Sequence, residues 1–412
     1  GVKNTIIGGL AADRLTDADF NTAIGYGTLS TDTLGSRSTA IGAFALEAQN
    51  FTTATTTYNV AVGYEAGLSV TTGQYNTLLG GRAGDKITDG DANIAVGVNA
   101  IGTDTLGKYS VAIGMGALQT QNFTTSTDTY NVAVGHNAGL SVTTGIQNTL
   151  IGGLAGDALT DADDNVAIGL AALSADTLGS NSVAIGKSAL AAQNFTTATD
   201  TYNVAVGWNA GLAVTTGVQN TIIGGLAGDA LTDADRNVAV GYTALGGDTL
   251  GNDSVAIGAN TLRVQNFTTA TSSYNTAVGS NAGRNISTGI NNVLIGGLAG
   301  DALTDADYNT SVGGANLSSD TLGSKSTAIG YGVLVTQNFT TATDTHNTAV
   351  GYNAGTSVTT GVENTLIGAL AGDALTTGNA NVAIGFEALS TEDGHGNNVA
   401  VGYRALKTLN VG

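Results

Sequence analysis

One short phrase of polar and aliphatic residues, N/S-x-x-aliphatic-Gly, recurs along the whole chain. Copies start at Asn4, Asn21, Ser38, Asn59, Asn76, Asn93, Ser110 and Asn131, and the rhythm runs on to Asn398 for 23 copies in all. Successive side chains of an extended strand point to opposite faces. In NVAIG at Asn165, Val166 and Ile168 therefore share one face and Ala167 takes the other. The Ile168 position is Ile, Val or Leu in every copy, whereas the Ala167 position is mostly Ala, with Leu or Ile in the first copy of each four. Helical spacing does not fit, since Gly recurs too often and β-branched residues cluster.

Successive copies lie 17, 17, 21 and 17 residues apart, closing a superrepeat of 72 residues. NVAVGHNAGLSVTTGIQ at Asn131 thus returns as NVAVGWNAGLAVTTGVQ at Asn203, with only His136/Trp208, Ser141/Ala213 and Ile146/Val218 changed. A coil of about 17 residues has room for two short strands and two turns, the unit of a β-solenoid whose coils stack on one another. The spacing predicts an all-β parallel solenoid over residues 1–412, with superrepeats 4–75, 76–147, 148–219, 220–291, 292–363 and a partial 364–412. Ile168 is expected inside it and Trp208 outside. A strand apolar on both faces is buried on both. One face fills the coil and the other needs a partner, which points to an oligomer. The Gly that closes each phrase needs either a positive φ or close approach of a neighbouring backbone. Asn at most phrase heads predicts a stacked amide ladder.

NSVAIG at Asn181–Gly186 resembles the head repeat of trimeric autotransporter adhesins, and NTAIGYGTL at Asn21 and NTAVGYNAG at Asn347 resemble related repeats of phage tail fibres. The resemblance covers essentially the whole chain. It implies a left-handed parallel β-roll, three chains to a fibre, displayed outside the cell or on a virion tail and binding a receptor. A structural filament without a receptor is the alternative.

Composition narrows the partners. The net charge is −19, with 13 basic against 32 acidic residues. Nucleic-acid affinity comes mainly from Lys and Arg neutralising phosphates, so no nucleic-acid partner is expected. No apolar run approaches the ~18 residues of a membrane helix. Pro and Cys are absent, which excludes collagen and thiolate metal sites.

The 21-residue coil carries an extended loop, QNFTTATDTY in one copy, whose Phe (Phe51, Phe123, Phe195, Phe267, Phe339) is the same in all five copies. It reads as a plug pinning the loop, or as a repeated receptor contact on a scaffold loop. The residue after Gly in the fourth coil varies: Tyr64, His136, Trp208, Ser280, Tyr352. Variation implies exposure, and the four rings form a candidate stripe for stacking on sugars. The acidic turn GDALTDAD, with Asp157, Asp161 and Asp163, is either a solvated turn or a weak Ca²⁺ candidate; no other cofactor is expected. Enzyme activity is not expected, because His136, His346 and His395 sit in unlike contexts and the Asp residues recur with the repeat.

Overall fold

The computed structural model describes residues 1–391 and 393–408, which are all-β without a helix. The chain divides into two compact units, Gly1–Asn203 and Val204–Gly412. The first holds eleven three-residue strands from Thr5–Ile7 to Val183–Ile185, the second twelve from Val204–Val206 to Val399–Val401. Within each unit, strands one coil apart pair in parallel and in register, as Val166 with Val183 and Ile168 with Ile185, or Val238 with Val255 and Val240 with Ile257. The fold is a parallel β-solenoid of about 23 turns, as the spacing predicts.

The interior face is the reverse of the one expected. Ala167 is fully buried, and so are Ala172 and Leu173 of the following turn, while Val166 and Ile168 lie half-exposed on the outside. The reason is volume. A coil this small leaves a thin interior that Ala fills, and an Ile from every coil would overpack it. Within a single chain, then, only one of the two apolar faces is covered.

Two strands per coil is also only partly met. A second strand forms in five pairs, such as Gly179–Ser180 with Thr199–Asp200. Elsewhere the turn residues alternate into the left-handed region, as Ala171 and Leu173 do at φ of 54° each. That breaks β geometry, yet the backbone still bonds from coil to coil: the Leu173 amide donates to the Ala189 carbonyl at 3.0 Å.

Both reasons for the closing glycine hold at Gly169. Its φ is +136°, and a Cβ there would stand 2.6 Å from the carbonyl carbon of Gly186. The head Asn residues do form a ladder, through the backbone. Asn148 is fully buried; its Oδ1 accepts from the Asn165 amide at 3.0 Å and its Nδ2 donates to the Ala162 carbonyl at 2.7 Å. Where Ser182 replaces Asn, Gln193 carries the ladder on: its Nε2 donates to Ser182 Oγ at 2.8 Å and its Oε1 accepts from Asn203 Nδ2 at 2.9 Å.

Candidate attachment surface

The left-handed glycine at each strand end turns the next residue outward. Tyr64, His136, Trp208, Ser280 and Tyr352 are all exposed. Along this column the following coil carries a bare Gly81, Gly153, Gly225 or Gly297, with Ala369 in the last case. A Cβ on Gly81 would meet nothing within 4 Å, so the coil after Tyr64 leaves the surface open. Tyr64 packs edge-on to Phe44 at 6.3 Å, and Tyr352 stacks on Tyr331 at 6.1 Å. Among the described residues no aromatic ring contacts Trp208 or His136. Glu65 raises the Tyr64 phenol above its ordinary range through a hydrogen bond and its charge. The Tyr64 hydrogen bond, then Arg82, hold Glu65 below the ordinary carboxylate range; Arg82 Nε donates to Glu65 Oε2 at 2.9 Å.

A second column escaped the sequence reading. The residue before each phrase head takes positive φ, as at Phe20, Tyr58, Tyr75, Tyr109 and Tyr130. Tyr109 and Tyr130 stack with centroids 5.3 Å apart and planes 6° from parallel. Arg37 lies 5.6 Å from both the Phe20 and Tyr58 rings, and Tyr58 stacks on Tyr75 at 6.0 Å. All thirteen tyrosines of the chain belong to these two columns, seven before the head and six after the Gly, and all are exposed. The signal was available: no Tyr occupies any other position of the repeat.

The five loop phenylalanines are buried, each only 5–7% exposed. The Asp of the preceding coil's D-T-L-G run holds the loop. Asp176 Oδ1 accepts from the Phe195 amide at 3.0 Å and the Gly179 amide at 3.1 Å, and Oδ2 accepts from Gln193 Nε2 at 2.6 Å. Asp32, Asp104, Asp248 and Asp320 repeat this arrangement. The Phe side chain therefore faces the coil, and the Thr-rich tip of the loop faces solvent.

In the acidic turn, Asp161 Oδ1 accepts from Thr144 Oγ1 at 2.5 Å and Asp163 Oδ1 from the Ile146 amide at 2.7 Å. Asp157 Oδ1 is buried without a hydrogen-bond partner, and burial pushes its carboxyl above the ordinary range. Among the described residues no group of three or more His, Asp or Glu side chains converges as metal ligands would.

No family model matches the chain, and a search of curated proteins returned no match.

Proposed function

We propose that the chain is a segment of a homotrimeric extracellular fibre, borne on a cell surface or a phage tail, that attaches to a surface receptor through repeated weak contacts. The observation that carries this reading is the confinement of all thirteen tyrosines to two exposed columns, beside strands whose outer aliphatic side chains are half-exposed. Tyr combines a rigid apolar body with a polar tip and suits contact surfaces. Copies at a fixed period add avidity without any single strong site. The aliphatic outer face of the strands is the surface for the sister chains. Nothing in the repeat asks for chemistry: polar side chains recur with the superrepeat and are spent on turns and ladders.

Solution mass by light scattering with sedimentation tests the assembly. A mass near three times the 40.7 kDa chain is expected, and a monomer would remove the proposal's physical basis. A glycan array tests attachment, with loss of signal expected when Trp208 and Tyr352 are replaced by Ala.

A receptor-free structural filament is the second reading. It is favoured by the stacking of Tyr109 on Tyr130, which uses ring faces that a sugar would need. Silence on the array, with end-to-end assembly, would select it.

A further inference from the structure

The superrepeat supplies its own control, because a place where one copy departs from its siblings at several adjoining positions stands out against the rest. Such a place lies in the second unit. There a cleft of about 590 Å³ is lined by Asp229, Tyr242, Gly246, Gly247, Arg263 and Arg284, with Asn285 at its side. Arg263 stands where the siblings carry Glu47, Gln119, Ala191 and Val335. Arg284 stands where they carry Leu68, Leu140, Leu212 and Thr356. Gly246–Gly247 replaces Ser30–Thr31, Gly102–Thr103, Ser174–Ala175 and Ser318–Ser319. Gly246 is shared with Gly102, so three departures from every sibling, Gly247, Arg263 and Arg284, meet in one depression from three successive coils.

The geometry joins them. The Val264 amide donates to the Arg284 carbonyl at 3.1 Å, so the two arginines issue from adjacent coils. A Cβ on Gly247 would lie 2.7 Å from the Arg263 carbonyl oxygen, and one on Gly246 would lie 3.2 Å from Asp229 Oδ1. The paired glycines therefore keep the floor clear beneath the arginines and beside the Asp229 carboxylate.

The charge is also out of place. In a chain of net charge −19, seven of the basic side chains form ion pairs among the described residues: Arg82, Lys86, Lys108, Arg236, Lys325, Arg404 and Lys407. Lys3 and Arg37 lie over aromatic rings. Arg263 and Arg284 are exposed and do neither among the described residues; the same holds of Arg14 and Lys187, but only Arg263 and Arg284 stand on adjoining coils in one cleft. The Arg284 charge reaches the partly buried Asp301 carboxyl and offsets part of its burial, but neither arginine makes an ion pair among the described residues. Two such guanidinium groups on neighbouring coils make a fork for a carboxylate or sulfate. A bare anion would be repelled by Asp229. A sugar that carries the anion brings hydroxyl groups for Asp229 and Asn285 and an apolar ring face for Tyr242, which is 59% exposed.

We propose that this cleft binds an acidic saccharide, with its carboxylate or sulfate on Arg263 and Arg284 and its ring against Tyr242. The proposal deepens the attachment reading and rests on it.

The test is calorimetric titration of the full chain with three oligosaccharides of equal length: a polyuronate, a sulfated glycan and a neutral glycan. The comparison protein is R263Q/R284L, which carries the residues its siblings already have at Gln119 and Leu140, Leu68 and Leu212, so its fold is expected to persist. The wild type should bind at least one acidic probe, more weakly as salt is raised, and the double variant should lose at least tenfold in affinity for it. Whether the polyuronate or the sulfated probe binds identifies the anion. Failure of both acidic probes, or equal binding by the double variant, overturns the proposal. The neutral probe and the solution mass report on the attachment fibre independently, so the cleft can fail while the fibre stands. In the converse experiment, placing Tyr at Leu170, Gly at Ser174 and Ala175, Arg at Ala191 and Leu212 and Asn at Ala213, beside the Asp157 already present, should create a second acidic-saccharide site.

Discussion

Leu150 occupies the space that a side chain on Gly156 would need. A Cβ at Gly156 would stand 2.7 Å from Leu150 Cδ2, and one at Gly139, in the coil before, 2.7 Å from Leu150 Cδ1. The next coil trades the volumes, with Ala167 on the strand and Leu173 on the turn, both fully buried. Leu78, Leu294 and Leu366 repeat the fit against their own pairs of glycines. The Leu that marks the first coil in four of the six superrepeats, with Ile6 and Ile222 in the other two, is thus one half of a knob-and-hole arrangement, and the superrepeat is a packing period as well as a sequence period.

Leu150→Ala should leave a cavity that these glycines cannot fill, costing about 2–5 kcal/mol. Gly156→Ala should also destabilise, because its methyl meets Leu150 and its φ of +55° is left-handed. In the double variant the clash is gone, so the two losses should sum to more than the measured total. Denaturant unfolding of the three variants gives the coupling; strict additivity would contradict the packing described.

The repeat length, the strand positions and the closing glycines were legible because each is a local requirement written 23 times. The inward face was not. Alternation tells that Val166 and Ile168 share a side, but when both sides are apolar it does not tell which is enclosed. The thinness of a 17-residue coil, which admits Ala167 and excludes Ile168, decides that. The second strand was overpredicted because composition does not reveal that Ala171 and Leu173 take left-handed φ. The Tyr column before each phrase head was hidden because Tyr fills only seven of its 23 places, which elsewhere hold residues as unlike as Ala92, Gln147, Asp164 and Arg236. The Arg263–Arg284 cleft needs coil-to-coil adjacency, which spacing alone leaves implicit.

Ala167→Asp and Ile168→Asp should separate folding from assembly. A carboxylate at Ala167 would be buried in an interior with no partner and should unfold the neighbouring coils, seen as lost β signal in circular dichroism. At Ile168 it would stand at a half-exposed site. That variant should keep its β signal and lower the solution mass. Equal loss of β signal in both would contradict the inward assignment of Ala167.

Ser311→Ala should stabilise the protein. Ser311 sits in the strand position held by Ala in most coils, fully buried, and its hydroxyl has no hydrogen-bond partner. An orphaned buried polar group costs about 1–3 kcal/mol, and removing one oxygen leaves little void. A rise of about 1 kcal/mol in unfolding free energy is expected. A loss would mean that the hydroxyl is satisfied in solution.

Acidification should first stabilise this fold. Burial raises the carboxyls of Asp157, Asp229, Asp301 and Asp373 above the ordinary range. The native state then takes up protons at a higher pH than the unfolded chain, so its stability grows as pH falls from neutral toward the ordinary carboxylate pKa of about 4. Glu65, Asp253 and Glu387 act oppositely: hydrogen bonds from Tyr64, Arg236 and Lys407 hold them low, and their contribution is lost as pH falls below that range. The melting temperature should therefore be higher at about pH 5 than at pH 7, and drop below about pH 4. Asp157→Asn removes one buried charge, so its gain in melting temperature should be larger at pH 7 than near pH 4. A melting temperature that falls steadily from pH 7 to 5, with an Asp157→Asn effect independent of pH, would show that these carboxyls are solvated in the folded protein.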